Sequence, residues 1–329
     1  MGAGHGKWAV DVIEAAYRPA ADDEAWLTGL LEAARPDLDQ GFGAVAMQFD
    51  VDASGQSSFG KFVALDCPPR WREAFTATLA DPTGEWPRAI LQTGPCTTGG
   101  RAWAIARGHR ERIQAALGLI GAKDAMAVMA VDPGGVAVAL NAPRANLERV
   151  PRAARQRWAR LAAHLAAGRR LRALGAAASL DDAEAIFDPR GKLQHAAEPA
   201  TSPSARAALR DAAAAVVRAS SQLRRRDPDA AVALWQALFA GRWSLLDHFD
   251  SDGKRFLVAR KNDPAAPQPA LLTLRERQVA CYAAVGHSNK LIAYELGLSP
   301  STVATHLSAA ARKLGVASRV ALIRALSGG

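Results

Sequence analysis

The segment that decides the C-terminal fold runs from Leu272 to Leu326 and reads LTLRERQVACYAAVGHSNKLIAYELGLSPSTVATHLSAAARKLGVASRVALIRAL. Its capping residues divide it into four helices. Thr273 and Glu276 have the spacing of a capping box, which starts the first helix, and Gly286 ends that helix. We expect the inward face of the first helix to hold Val279, Tyr282 and Ala283.

The remaining helices follow from the same kind of signal. Ser288 caps a second helix, and Gly297 permits the tight turn after it. Ser299 caps a third helix with Pro300 at its first position, where the missing amide hydrogen costs nothing. Ser318 starts a fourth helix that runs to about Leu326. The sequence therefore predicts an all-helical domain over residues 271–329.

The third helix is polar on one side. Its predicted buried stripe consists of Val303, Leu307, Ala310 and Leu314. The outward side consists of Ser301, Ala304, Thr305, Ser308 and Arg312. Two short helices joined by a glycine turn fit the major groove of DNA, which the third helix would enter by its N-terminal end. Ser301 and Thr302 at that end, with Lys290 from the preceding helix, could bind phosphate.

This stretch resembles the LuxR/GerE family of helix-turn-helix domains along its whole length. The matching parts are LTLRERQV, GHSNKLIAYELGLS, STVATH and KLGVASRVALI. The resemblance implies that Ala304, Thr305 and Ser308 face bases, that Lys290, Ser301 and Thr302 lie near phosphate, and that Val320 and Ile323 form a dimer contact. The DNA-binding set that we predict is Lys290, Ser299, Ser301, Thr302, Ala304, Thr305, Ser308 and Arg312.

Two positions depart from the family pattern. The family usually has Lys where this chain has Ala304, and Glu where it has Leu291. Loss of the Lys removes one phosphate or base contact, so DNA affinity is expected to be lower or more sensitive to salt. Ala304 could instead pack on a thymine methyl group.

Charge is distributed unevenly along the chain. Residues 1–150 carry 14 Lys and Arg against 18 Asp and Glu, residues 151–270 carry 20 against 12, and residues 271–329 carry 7 against 2. A basic C-terminal part beside an acidic N-terminal part fits a nucleic-acid-binding module joined to a different kind of domain. An Arg- and Ala-rich composition is also what a GC-rich genome produces, so charge alone leaves both interpretations open.

Upstream of residue 263, turn residues between apolar runs predict four hairpins. The first pairs Phe42–Asp52 with Phe59–Asp66, and the second pairs Ala125–Val131 with Gly135–Leu140. Two further hairpins turn at Asp188–Gly191 and at Asp250–Gly253. Between them, amphipathic helices are predicted from about Arg152 to Leu174 and from about Ala205 to Arg226.

The order of these elements looks like GAF and PAS sensor domains in series. We therefore predict an α+β fold with a GAF-like sensory domain at 1–150, a connecting amphipathic helix at 151–178 and a PAS-like domain at 179–262. A proline-rich linker at 263–270 then leads to the LuxR-type helix-turn-helix domain at 271–329. The second amphipathic helix spaces Leu209, Ala213, Val216, Ser220 and Leu223 like a short heptad seam. Packing of that face inside its own domain is the alternative.

Other chemistry is weakly marked in the sequence. Cys96, in TGPCTTGG, is the one candidate for a reactive or chromophore-holding thiol, against an ordinary loop cysteine. Trp71, Trp86 and Trp103 could line a small-molecule pocket or simply fill the core. The seven histidines show no metal-ligand spacing. We expect no enzyme activity, no cofactor and no metal.

The sequence as a whole predicts a cytoplasmic, homodimeric transcription regulator. It has no apolar run of about 18 residues that could span a membrane, and Met1–Val10 lacks the order of an export signal. We expect double-stranded DNA and a second copy of the chain as partners and no membrane, and we leave open a small-molecule effector and a contact with RNA polymerase. Two alternatives remain: a sensor protein that holds a cofactor, and a regulator that acts through protein–protein contacts.

Overall fold

The computed structural model describes residues 7–51, 57–81, 83–147, 149–173, 182–249, 254–264 and 271–327 of the chain. The turns predicted at 52–55 and at 250–253, the end of the connecting helix at 174–178 and most of the predicted linker, 265–270, lie outside these residues. None of the helices in these ranges combines the length and the apolar character of a membrane-spanning segment.

The first half of the chain forms a five-stranded antiparallel sheet with helices on both faces. Its strands are β1 (Ala44–Val51), β2 (Ser57–Leu65), β3 (Cys96–Thr98), β4 (Asp124–Val131) and β5 (Val136–Arg144). Its helices are α1 (Trp8–Tyr17), α2 (Asp23–Leu38), α3 (Trp71–Leu79), α4 (Glu85–Gln92), α5 (Gly99–Ala102) and α6 (Arg110–Gly118).

The strands of this sheet follow the order β2-β1-β5-β4-β3. Both hairpins predicted from turn residues are confirmed, because β1 pairs with β2 and β4 pairs with β5, each antiparallel. The central strand β5 lies between β1 and β4, with Asn141 opposite Val45 on one side and Ala127 on the other. Its backbone is therefore hydrogen-bonded along both edges.

The amphipathic helix predicted from about Arg152 is confirmed as α7 (Arg152–Ala173). It packs on α1, β4 and β5, with its apolar stripe buried between them. A Cβ on Gly168 would overlap the backbone carbonyl of Ala16, so glycine at this position allows α7 to cross α1 closely. The indole of Trp158 donates a hydrogen bond of 2.9 Å to Asp37 in α2, which fixes α7 to the first sheet domain.

A second antiparallel sheet follows, in the order β7-β6-β9-β8. Its strands are β6 (Ala183–Phe187), β7 (Leu193–Ala196), β8 (Trp243–Phe249) and β9 (Arg255–Lys261). Pairing of β6 with β7 and of β8 with β9 confirms the two later hairpins. The helices between β7 and β8 are α8 (Pro203–Arg218), α9 (Arg224–Arg226) and α10 (Pro228–Leu234).

The heptad-like stripe of the second amphipathic helix packs inside the chain. Leu209, Ala213 and Val216 on α8 are almost fully buried in the same apolar cluster as residues of both sheets. A wider π-helical turn, Ala219–Leu223, joins α8 to α9. Because the stripe is already covered, it offers no seam to a second copy of the chain, and the alternative of internal packing is the one observed.

One apolar core connects the two sheets with α1, α2, α7 and α8. The predicted α+β class is confirmed: antiparallel sheets with helices come first, and an all-helical part ends the chain. That last part contains α11 (Leu274–Ala284), α12 (Asn289–Leu296), α13 (Pro300–Lys313) and α14 (Arg319–Ser327). The GAF-like and PAS-like assignments, and the boundaries between them, stay predictions.

Candidate nucleic-acid interface

The first helix of the C-terminal domain starts as its sequence predicts. In α11 the Thr273 side chain accepts the amide of Glu276, and the Glu276 carboxylate accepts the amide of Thr273, at 3.3 and 2.8 Å. Glu276 also pairs with Lys313 of α13 at 2.7 Å. That hydrogen bond, reinforced by the Thr273 amide, holds the pKa of Glu276 below its usual range. The capping box thus also ties the start of α11 to the end of α13.

The turn between α12 and α13 needs a glycine. Ser288 caps α12, accepting the amide of Leu291 at 3.3 Å, and the helix ends at Gly297 with φ of 61°. An L-residue is strained at that φ. A Cβ there would also overlap the backbone of Leu238, which belongs to the N-terminal part of the chain, the described residues between 7 and 264. The helix-turn-helix is therefore shaped partly by what it packs against.

The N-terminus of α13 carries a cluster of hydroxyl groups. Ser299 Oγ accepts the amide of Thr302 at 3.0 Å and lies 2.7 Å from Ser301 Oγ and 2.8 Å from Thr302 Oγ1. The Thr302 amide, which the sequence suggested for phosphate, is thus used by the cap. The Ser301 amide and the hydroxyl cluster remain at the helix end, where backbone dipoles favour an anion.

One face of α13 is open to solvent. Val303 and Ala310 are fully buried, while Leu307 and Leu314 are partly buried against the helical core. The exposed side chains are Ser301, Ala304, Thr305, Ser308 and Arg312. The predicted division of the helix into two faces is confirmed, and contact of the outer face with DNA stays a prediction. Ala304 leaves a small apolar gap between hydroxyl groups on that face.

The charges of the domain favour an anionic partner. Residues 271–329 contain two acidic side chains, Glu276 and Glu295, and both are buried. Glu295 is paired with His287 at 2.8 Å. Lys290 and Arg312 are exposed and make no ion pair within the described residues. A phosphate backbone would therefore meet free cations and no exposed side-chain carboxylate of this domain.

Helix α14 presents an apolar residue to solvent. Ser318 accepts the amide of Ala321 at 3.1 Å, as an N-cap should, and Leu322 is buried against α11. Val320 is 59% exposed. Arg319 donates to the carbonyl of His287, which holds the start of α14 against the loop before α12. The dimer contact that the family resemblance implies at Val320 stays a prediction.

The helix-turn-helix is packed against the N-terminal part through Tyr294. The Tyr294 hydroxyl lies 2.7 Å from Nε2 of His164 in α7, and 2.6 and 2.7 Å from the carbonyl oxygens of Trp235 and Val232. On its other side, His164 Nδ1 lies 2.9 Å from the hydroxyl of Tyr17 in α1. One buried polar network therefore joins α1, α7, the end of α10 and α12.

Burial fixes the protonation of this network. It lowers the pKa of His164 to about 3 and raises the pKa of Tyr294 well above its ordinary value. His164 is therefore neutral and Tyr294 protonated at pH 7. A neutral ring has one N–H, so an arrangement that satisfies all groups has Tyr17 donating to Nδ1, Nε2–H donating to the carbonyl of Trp235 at 2.7 Å, and Tyr294 donating to the carbonyl of Val232.

Further contacts surround Tyr294. Arg275 in α11 donates to the carbonyls of Ala240 and Gly241, at 2.9 and 3.2 Å. Leu238 is fully buried in the apolar cluster of the C-terminal domain. The guanidinium of Arg160 lies 5.7 Å from the centre of the Tyr294 ring. The interface thus combines a buried polar centre with apolar and cationic contacts around it.

Sequence reasoning missed this interface, although the sequence carried a trace of it. Ile292, Ala293 and Leu296 have the spacing of one helix face and are buried in the core of the domain. Tyr294 and Glu295, between them in the sequence, are buried as well. The eight-residue helix α12 therefore has five consecutive buried residues, a signal that the prediction did not use. A short helix that is apolar or aromatic on more than one face is covered on more than one side.

The candidate reactive cysteine has the properties of a core residue. Cys96 begins β3 and is 4% exposed. Burial raises the pKa of its thiol to about 12. At neutral pH the thiol is protonated and therefore a poor nucleophile, which leaves the cofactor-holding alternative without support from this residue.

Comparison with known proteins identifies the C-terminal domain. Residues 270–326 match the family of bacterial regulatory proteins, luxR family. The chain is 52% identical over 73 residues to the transcriptional regulatory protein UhpA of Escherichia coli K12, covering 22% of this chain and 34% of UhpA. It is 46% identical over 59 residues to the probable transcriptional regulatory protein NarL of Mycobacterium tuberculosis, covering 18% of this chain and 27% of that protein.

The C-terminal domain is thus a LuxR-family DNA-binding domain, as its motifs predicted, and the chain spans about one third or less of the relatives it matches. The solved structure of Escherichia coli SdiA aligns with 98% of this chain and 97% of its own, with 11% identity and a TM-score of 0.33. SdiA in complex with octanoyl-rac-glycerol gives the same TM-score of 0.33 with 12% identity, over 97% and 94% of the two chains. This likeness is too distant to assign a fold to the N-terminal part.

Proposed function

We propose that the LuxR-family domain makes this chain a sequence-specific transcription regulator that reads DNA with α13. The observation that carries the proposal is the solvent-exposed outer face of α13. Thr305 and Ser308 on that face offer hydroxyl groups to base edges, and Ala304 offers a methyl group to thymine. Arg312 on α13 and Lys290 on α12 supply free positive charge.

We further propose that the N-terminal part controls this domain by positioning it. In the arrangement seen here, the N-terminal part packs on α12 and α11 and leaves the outer face of α13 exposed. The N-terminal part would therefore not control DNA binding by covering α13, the helix proposed to recognise DNA. A signal that favours a different packing around Tyr294 would instead change the orientation of α13, which is a shift between two populations.

The proposed regulator acts as a homodimer in the cytoplasm. The heptad-like stripe of α8 is buried in its own core and cannot form a contact between two copies. The exposed Val320 on α14 supports such a contact instead. A dimer would place two recognition helices in successive major grooves about 34 to 36 Å apart. Its preferred sites should then be inverted repeats. A dimer would also make the relative orientation of the two domains the quantity that a signal controls.

A selection from random DNA tests the proposed function. The full chain is incubated with a random-sequence duplex pool and the bound fraction is amplified and sequenced, in parallel with a Thr305→Ala/Ser308→Ala variant. A Ser204→Ala variant serves as control, because Ser204 is an exposed serine on α8, outside the helix-turn-helix. We expect wild type and the control to enrich the same motif. We expect the double variant to lose it.

The absence of any enriched motif with a folded wild-type protein would contradict sequence-specific reading and favour a regulator that acts through protein contacts. Enrichment of the same motif by the double variant would show that another surface reads the DNA. A motif that contains a single half-site would contradict the homodimer while leaving DNA reading intact.

A further inference from the structure

The first sheet has two apolar faces, and each packs against a different layer. Strand residues alternate between the faces, as a pleated sheet requires. On β5, Val138 and Leu140 point into the core shared with α7, whereas Ala139 and Asn141 point to the opposite side. That opposite side is covered by α3, α4 and α6. The second layer is where the cavity of the domain lies.

A cavity of about 110 Å³ separates this face from the three helices. Its wall is rich in aromatic and sulfur-containing side chains, among them Phe49, Phe59, Trp71, Phe75, Trp86 and Met129. No charged side chain lines it within the described residues. Two of the three tryptophans noted in the sequence border it, and Trp103 belongs to the neighbouring apolar cluster. Phe59, on edge strand β2, is 44% exposed and marks the side open to solvent.

One polar side chain in the wall lacks a partner. The Nδ2 atom of Asn141 is buried and makes no hydrogen bond within the described chain. Asn141 lies on the central strand of the sheet, so pairing on both sides holds its backbone in place. A buried amide without a partner is costly to the folded state, and a hydrogen-bond acceptor on a ligand would remove that cost. The cavity wall is thus mostly apolar, with the hydroxyl groups of Ser57, Thr78, Thr97 and Thr98 and with Asn141 as the wall residue that has an unused buried donor.

We infer that this cavity binds a small uncharged ring compound that carries one hydrogen-bond acceptor, held between the aromatic side chains with its acceptor on Asn141 Nδ2. An engineered protein cavity of about 150 Å³ holds benzene, so a cavity of about 110 Å³ that is open near Phe59 limits the compound to one small ring. No charged side chain of the described residues lines the cavity, so an anion or a cation would be buried there without a charged partner from them, which is costly. The claim that this compound is the effector of the regulator rests on the proposed function. The claim that the cavity binds the compound does not depend on it.

The matched probes for this inference are acetophenone, ethylbenzene and benzoate. The first two have nearly the same shape and differ by one carbonyl oxygen, and the third carries a charge. Binding to the full chain is measured by isothermal titration calorimetry in the absence of DNA. We expect acetophenone to bind about three- to tenfold more tightly than ethylbenzene, which is the usual net value of one hydrogen bond. We expect no binding of benzoate.

Two variants locate the site. Asn141→Leu keeps the size of the side chain but removes the donor, and it should bind acetophenone and ethylbenzene with equal affinity. Ala127→Val adds bulk to the cavity wall from β4 and should weaken both ligands. Circular dichroism shows whether each variant is folded. If Asn141→Leu does not fold, the preference of the wild type for acetophenone over ethylbenzene still decides whether a donor is used.

Failure of both neutral probes to bind the folded wild type, tighter binding of benzoate, or an unchanged preference in Asn141→Leu would overturn the inference. None of these outcomes bears on whether α13 reads DNA, because the titrations contain no DNA. Conversely, a chain that binds acetophenone through Asn141 and enriches no DNA motif would keep the site and contradict the proposed function.

Discussion

The hydroxyl of Tyr294, on the second helix of the helix-turn-helix, lies 2.7 Å from Nε2 of His164 in the middle of α7. The two residues are 130 positions apart in the sequence. Both are buried, and both contact the carbonyl oxygen of Trp235. The DNA-binding domain is therefore fixed to the N-terminal part by a polar contact that excludes water, where a missing partner is costly.

Removal of the Tyr294 hydroxyl should loosen this contact. We predict that Tyr294→Phe lowers the free energy of unfolding by about 1 to 3 kcal/mol, because it leaves the buried carbonyl of Val232 without its donor and removes one of the contacts of His164. It should also increase amide hydrogen exchange in α12. Thr28→Val is the control, since it removes an exposed hydroxyl that bonds within its own helix, and should cost under about 0.5 kcal/mol. Equal exchange in α12 for wild type and Tyr294→Phe would show that the contact contributes nothing.

The neutrality of His164 makes stability depend on pH. Burial lowers its pKa from 6.5 in the unfolded chain to about 3, so between these values the unfolded state binds more protons than the folded state. Stability is therefore full above pH 6.5 and falls as the pH drops toward 3, by up to about 1.4 kcal/mol per pH unit from this residue.

The test compares denaturant unfolding of wild type and His164→Gln from pH 7.5 to pH 5. The variant cannot titrate at this position and should lose less stability over the acidic part of the range. Parallel curves for the two proteins would mean that His164 is not held neutral by the fold.

Two glycines with similar φ angles allow the cost of backbone strain to be distinguished from the cost of a steric clash. Gly297 has φ of 61° and a Cβ would meet the backbone of Leu238, whereas Gly315 has φ of 67° with open space around it. We predict that Gly315→Ala costs about 1 to 2 kcal/mol from backbone strain alone. Gly297→Ala should cost at least about 1 kcal/mol more, because Leu238 must also move. Thermal or denaturant unfolding measures both, and equal losses would remove the packing explanation.

The family lysine can be restored at Ala304. We predict that Ala304→Lys tightens binding to DNA and steepens the dependence of log affinity on log salt by about 0.9, as one added phosphate contact does. The control is Ser204→Lys, which adds the same charge at an exposed site on α8. A similar gain from both variants would indicate that net charge, and no specific contact, is responsible.

The elements that carry local signals could be predicted from the sequence. The caps at Thr273, Ser288 and Ser299 stand where their side chains accept backbone amides in the structure. The hairpins followed from Gly, Pro and Asp between apolar runs, since such turns depend on a few adjacent residues. The exposed face of α13 followed from helical periodicity in the same way.

The contacts between distant segments could not be predicted. His164 is one of many polar residues in an Ala- and Arg-rich helix, and nothing nearby in the sequence indicates its partners Tyr17 and Tyr294. Asn141 reads as a polar interruption at the end of a strand, and its place in the cavity wall depends on which face of the sheet the helices cover. Both are packing contacts between distant segments, and the hydrophobic periodicity of a single sequence does not specify such contacts.

The central claim is that the exposed face of α13 distinguishes DNA sequences. Fluorescence anisotropy of a labelled duplex that carries the selected motif, beside one with the motif scrambled at the same base composition, measures this directly in full-length protein at physiological salt. We predict that the motif is bound at least about 10³-fold more tightly than the scrambled duplex, and that Thr305→Ala/Ser308→Ala loses most of this ratio. Equal affinity of the wild type for both duplexes would contradict the claim.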